Sequence, residues 1–181
     1  MTTETTETTD ERDGWGETRS KVVSWHDPAP TAAAGLSLPG IDYLRAMTEG
    51  TLPPPPISGL MEFTMVQADP GRVVFTCRPD ESAYNPMGSI HGGLICTLLD
   101  SVLGCALHST LAQGKGYTSI EIKVNYLKGV RNSSGTLTAT GTVVKAGARV
   151  GFTEGVVTDA SGAVVATATS TLLVFDLPTP G

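Results

Sequence analysis

The sequence predicts an α+β fold in which one long central helix is wrapped by a curved antiparallel sheet of five to six strands. Three observations carry that expectation. The stretch IHGGLICTLLDSVLGCALHSTL, residues 90–111, has helical length and is apolar on nearly all sides, the pattern of a helix enclosed by other elements. Strand-like runs rich in β-branched and aromatic residues stand before and after it. The breaks between runs, such as Asp69-Pro70-Gly71, Ala146-Gly147 and Asp159-Ala160-Ser161-Gly162, are short turn signals that join antiparallel neighbours.

Taken in order, residues 1–20 are acidic, low in complexity and poor in apolar side chains, so they read as a disordered tail. Residues 21–56 form an N-terminal extension. Within it GIDYLRAMTEG, Gly40 to Gly50, puts Ile41, Leu44 and Met47 on one helical face and closes on glycine, giving a short helix packed on the main domain as a cover. Pro53 to Pro56 read as a stiff connector rather than a docking peptide for a proline-reading partner. The main domain is expected over 57–177. It opens with a hairpin, Met61–Gln67 and Arg72–Arg78. After the long helix, Ile120, Ile122, Val124 and Tyr126 alternate with Glu121, Lys123 and Asn125, a strand with one buried face and one polar face available for a site. Three further strands are expected at Thr136–Lys145, Arg149–Thr158 and Val164–Phe175. Neither a glycine-rich phosphate loop nor an internal repeat is visible.

Composition narrows the function. Of 181 residues, 40% are apolar and only 17% charged, so part of the surface is expected to be covered by further copies of the chain. A net charge of -6 without clustered Lys and Arg speaks against nucleic acid and anionic membranes as partners. Cys77, Cys96 and Cys105 have neither metal-ligand nor disulfide spacing, so no metal is expected and the thiols should be reduced. With no secretory leader and no membrane-length apolar run in the sequence, a cytoplasmic location is expected. Asn132-Ser133-Ser134 matches a glycosylation sequon, but reads as a turn.

Chemistry concentrates at the helix. Asp100 is the only charged residue from Gly92 through Leu107, set among Leu98, Leu99, Val102 and Leu103. A carboxylate in apolar surroundings is costly unless paired, hydrogen-bonded or functional. The bland reading is satisfaction by a lysine or by backbone donors. Ahead of the helix runs Asn85-Pro86-Met87-Gly88-Ser89-Ile90-His91-Gly92-Gly93. Its glycines let a ligand approach the backbone, and free amides at a helix start suit a carbonyl oxygen that gains negative charge. Gly92 and Asp100 are eight residues apart, about 12 Å along a helix and too far to touch one carbonyl carbon. Two such helices antiparallel across a two-fold axis would join the glycine end of one to the aspartate of the other, making two sites per dimer.

On these residues the sequence resembles the hotdog-fold thioesterases, in the PaaI-like acyl-CoA thioesterase branch. The resemblance covers about Leu60 to Phe175. It rests on Asn85 six residues before His91, on His91-Gly92-Gly93, on Asp100 nine residues after the histidine, and on the strand Ser119 to Tyr126. It implies hydrolysis of an acyl-CoA thioester without a cofactor, coenzyme A being part of the substrate. The Gly92 N–H would bind the thioester oxygen, Gly93 beside it is a substrate-binding candidate, and Asn85 and His91 would position substrate and water. Asp100 of the partner would attack as nucleophile or act as general base for water. Ser119, or nearly as well Thr118, would order that water, and Lys128, Arg131, Lys145 and Arg149 are the candidates for the CoA phosphates. His108, Cys96 and Cys105 read as packing residues. The alternatives are a hydratase or dehydratase on the same scaffold, whose signatures differ, and a non-catalytic acyl-CoA binder or sensor, against which Asp100 argues. Dimer and tetramer both remain open.

Overall fold

The computed structural model describes residues 14–177, so most of the expected disordered tail, 1–20, lies outside the described residues. Three helices come first: α1 (Pro28–Ser37), α2 (Gly40–Thr48) and α3 (Pro56–Met61). Then follow β1 (Phe63–Asp69), β2 (Arg72–Cys77), the long helix α4 (Gly92–His108), β3 (Lys115–Tyr126), β4 (Leu137–Ala146), β5 (Val150–Thr158) and β6 (Val164–Asp176). All six strands form one antiparallel sheet in the order β1-β2-β4-β5-β6-β3. The expected fold class is therefore the observed one. The last three strands make a meander, while β3 travels to the far edge, beside β6.

The helix α4 lies across this sheet. Leu98, Leu99, Val102 and Leu103 are wholly buried against Val73, Phe75, Leu137, Ala139, Val157 and Ala166. Each such side chain contributes about 1.5–3 kcal/mol of burial. The approach is close: a Cβ on Gly141 of β4 would stand 2.5 Å from the Val102 carbonyl oxygen, so only glycine fits where the helix crosses. Along α4 only Gly93 and Asp100 are exposed, with Cys96, Thr97 and Ser101 on the same side half-buried. The burial expected from the apolar surroundings of Asp100 in sequence is therefore not provided within one chain.

The N-terminal segments differ in detail from expectation. Helix α2 forms as read, with Leu44 buried and Ile41 and Met47 packed against the core. Helix α1 was not legible, because its alanines carry helix propensity but no apolar stripe, and only Thr31 is buried. Asp27 caps it, accepting from the Ala29 N–H at 2.9 Å. The first strand begins at Phe63, not Met61. The preceding PISGLM is a helical turn that starts on Pro56 and ends at Glu62, the one described non-glycine residue with a left-handed backbone (φ 54°).

The most consequential departure is in β3. Its register against β6 shifts between Ser119 and Glu121, a β-bulge that leaves Ile120 as the extra residue. The shift reverses which side chains face the helix. Tyr117 and Ser119 face it before the bulge, and Ile122, Val124 and Tyr126 after it. Ile120, expected on the buried face, is instead 57% exposed.

Candidate active site

The loop before α4 is held by its own polar groups. Asn85 Oδ1 accepts from the Met87 N–H at 2.9 Å and from the Ser89 N–H and hydroxyl at 3.3 Å. Its backbone closes the same turn, donating to the Ser89 carbonyl and accepting from the Gly88 N–H. This side chain, expected to position substrate and water, shapes the loop that delivers His91 to the helix.

His91 is the N-cap of α4. Its Nδ1 accepts from the Gly93 N–H at 2.8 Å and its carbonyl from the Leu94 N–H at 3.0 Å. A ring nitrogen that accepts places the proton on Nε2, the nitrogen left to donate. The amide of Gly93, a substrate-binding candidate, is therefore already engaged by His91. At the helix start the Gly92 N–H alone has no hydrogen-bond partner among the described residues. Tyr126, which the sequence reading did not single out, braces this position: its hydroxyl donates to the Gly92 carbonyl at 2.9 Å. The signal for it was the alternating pattern that set Tyr126 on the buried face of β3.

At mid-helix, Ser119 Oγ donates to Asp100 Oδ1 at 2.8 Å. Of the two candidates in this strand, Ser119 makes this contact. Thr118, its neighbour on an alternating strand, points to the other face. Cys96 and Cys105 flank the carboxylate without competing as nucleophiles. Burial, with the Asp100 charge adding to it, raises both thiols, Cys105 up to about 12, so both stay protonated at neutral pH.

Asp100 and Ser119 line a cavity of about 590 Å³. Its walls are Tyr43, Leu44 and Met47 of α2, Pro54 and Pro55, Ile57 of α3, and Phe63, Met65 and Phe75 of the first hairpin. The N-terminal helices thus cover the cavity. At its far end the rings of Tyr43, His108 and Tyr117 pack in series at tilted angles of 51°, with centroids 5.4 and 5.3 Å apart.

The candidate cations separate into two places. Lys128 and Arg131 stand near the Gly92 end of α4, where the Ile90 N–H donates to the Val130 carbonyl, but Lys128 Nζ is already paired with Asp159 at 2.7 Å. Lys145 and Arg149 bracket the β4–β5 turn, at the end of the sheet where Gly151 meets Leu107. Among the described residues no cluster of His, Cys, Asp and Glu could hold a metal ion, and no helix is long and apolar enough to cross a membrane.

An antiparallel sheet embracing one helix, with a glycine amide at the helix start and a carboxylate at its middle, defines the hotdog class of thioester-handling proteins. The comparisons with known proteins agree. A family model described as the thioesterase superfamily matches residues 87–166. Human acyl-coenzyme A thioesterase 13 is 31% identical over 94 residues, which are 52% of this chain and 66% of that protein, just under two thirds of its length. Among solved structures, smu.793 from Streptococcus mutans, determined bound to acetyl CoA, is 32% identical with a TM-score of 0.58, covering 64% of this chain and 90% of that one. The PaaI protein of E. coli shares the fold at 21% identity, with a TM-score of 0.66 over 79% of this chain and 99% of its own. The chain belongs to the hotdog-fold thioesterase superfamily.

Proposed function

We propose that this protein hydrolyses acyl-CoA thioesters to a free acid and coenzyme A, with Asp100 as the reacting group. The observation that carries the reading is the Asp100 carboxylate, oriented by the Ser119 hydroxyl at 2.8 Å and lining an apolar cavity. The names of the human and Streptococcus relatives support coenzyme A as the thiol half of the substrate. No cofactor enters the reaction.

Helix geometry sets the rest. Gly92 and Asp100 lie about 12 Å apart along α4, so a second copy must supply the amide that meets the oxygen of a thioester attacked by Asp100. The exposed face of α4 around Asp100 and the unpaired edge of β3 are the surfaces that a two-fold partner would cover. In such a homodimer, alone or doubled into a tetramer, the Gly92 N–H of one protomer stabilises the developing oxyanion. Asp100 of the other either attacks the carbonyl carbon, expelling CoA thiolate and leaving a mixed anhydride for water to cleave, or takes a proton from the attacking water. His91 Nε2–H is a further donor beside the oxygen. Thr118 and the cations Lys128, Arg131, Lys145 and Arg149 remain candidates for contacts to the CoA portion. The free thiols of Cys77, Cys96 and Cys105 support a reducing, cytoplasmic setting.

Thiol release from a panel of acyl-CoAs tests the reading. Wild type should turn over and Asp100→Asn, a near-isostere, should lose about 10²–10⁴-fold while dimerising normally. Unchanged turnover in Asp100→Asn would refute the role, and tight binding without turnover by wild type would favour the acyl-CoA sensor.

A further inference from the structure

Proposed as a thioesterase, the protein must place one acyl group somewhere, and a two-protomer site leaves open which copy houses it. We infer that the acyl group lies within the protomer that supplies Asp100, in the cavity roofed by that protomer's own N-terminal helices, and that this chamber admits uncharged acyl groups and rejects those ending in a carboxylate. The inference rests on the thioesterase reading and goes beyond it in naming the substrate class and the segment that selects it.

Placement is the first argument. Asp100 and Ser119 share one cavity with Met47 of α2 and Ile57 of α3, all from the same chain. The cavity reaches from Asp100 to His108 beside α4, eight residues and thus about 12 Å toward the helix C-terminus. Gly92 lies as far in the opposite direction. An acyl group bonded to a carbon at Asp100 therefore finds apolar walls on one side only, inside its own protomer. The remainder of the thioester must leave toward solvent and the second copy.

Charge is the second argument. Among the described residues no Lys or Arg lines the cavity, and Asp100 is the only acidic side chain in its lining. Burial lowers the pKa of His108, which keeps it neutral, and raises the hydroxyl pKa values of Tyr43 and Tyr117. Around His108 stand the tyrosine rings, the backbone of Gly40 and the Cys105 thiol, none of them a cation able to receive a second carboxylate. An anionic acyl terminus would be desolvated without a cationic partner, in a chamber whose one acidic side chain is Asp100.

Mixed dimers test the placement, and acyl charge tests the class. Two differently tagged copies are coexpressed and the heterodimers purified. Pairing Asp100→Asn with Gly92→Pro should leave one intact site and about half of wild-type thiol release. Pairing Asp100→Asn with Met47→Trp, which fills the chamber from α2, should leave none for hexanoyl-CoA, because each site then lacks either its carboxylate or its chamber. Recovery of about half the activity in that second pairing would overturn the inference, since it requires the chamber and Asp100 to come from different copies. The Met47→Trp homodimer should lose at least tenfold in kcat/KM on hexanoyl-CoA while its melting temperature and its dimer on size-exclusion chromatography stay as in wild type. Ile57→Trp, at a more exposed lining position, gives the same readout should Met47→Trp fail to fold. Butyryl-CoA should exceed succinyl-CoA by at least a hundredfold in kcat/KM, and comparable values would overturn the chamber's charge selection. Were wild type silent on every thioester, the thioesterase reading would fall instead. Binding of the butyl and carboxypropyl thioethers of CoA would still decide the chamber, with equal affinities counting against it.

Discussion

Replacing Gly92 by proline removes one N–H and disturbs little else. Gly92 is the first residue of α4, where proline's fixed φ already suits the helix, and His91 before it is extended (φ -61°, ψ 133°), as a residue preceding proline must be. A Cβ at this position meets the Tyr126 ring, with Cζ at 3.1 Å and Oη at 3.3 Å. Tyr126 is 55% exposed, so the ring can give way. Gly92→Ala introduces the same Cβ and keeps the N–H. The ratio between the two variants therefore isolates the hydrogen bond to the developing oxyanion. Removal of one such donor costs about 10²–10³-fold in kcat, or ~2.7–4 kcal/mol. The check is thiol release under saturating acyl-CoA, with circular dichroism melts of both variants alongside. Gly92→Ala should stay within about threefold of wild type if ~0.65 kcal/mol is all that the moved ring costs, and Gly92→Pro should fall by at least a hundredfold below it. Equal kcat values in two folded variants would refute the reasoning and remove the helix-start amide from the mechanism.

Three further outcomes are expected. Ser119→Ala should lower kcat by about ten- to a hundredfold, the ~1.5–3 kcal/mol of a hydrogen bond to a charged group, with oligomeric state unchanged by size-exclusion chromatography. Gly141→Ala should destabilise by about 1–3 kcal/mol, read as a lower denaturation midpoint, because its Cβ meets helix backbone that cannot swing aside, the Val102 carbonyl oxygen at 2.5 Å and the Leu103 nitrogen at 3.2 Å. Asp159 accepts from Lys128 Nζ at 2.7 Å, from the Ser161 hydroxyl at 2.5 Å and from the N–H groups of Ser161 and Ala163. The lysine first, then the serine hydroxyl, hold its carboxyl well below the usual range. A carboxyl lowered in the folded state stabilises above its unfolded value of about 4, and that stability is lost as pH falls through the folded value. Tm should therefore drop below about pH 4, and Asp159→Asn should lower Tm at neutral pH while flattening the acid drop.

Much of this molecule was legible in its sequence. The apolar run at 90–111 gave the helix, and alternation with short turns gave β4, β5 and β6 within a residue or so of their observed ends. The spacing of Ile41, Leu44 and Met47 gave α2. Helix α1 escaped because alanine signals propensity without a face, and α3 because six residues beside four prolines are too few to show a period. At the site, Asp100, Gly92 and Ser119 were all visible as residue types at helical and strand positions. Tyr126, Leu44 and Met47 were visible as packed positions of their elements, but not as parts of the site, which they join through contacts between distant segments.

The sequence by itself determined which elements form, because helix and strand periods, caps and turns are local properties of the chain. It also marked Asp100 as anomalous, since one charge in an apolar helix is conspicuous without any structure. Only the tertiary structure decided where these residues meet. Alternation carried unbroken through β3 would put Ser119 on the face away from the helix. The bulge at Ile120 turns it toward Asp100, and bulges are set by pairing with a partner strand rather than by the strand's own residues. Likewise, eight helical residues separate Gly92 from Asp100 in every helix, but only the sheet leaves the Asp100 face of α4 open for a second copy while the N-terminal helices close over the cavity beside it.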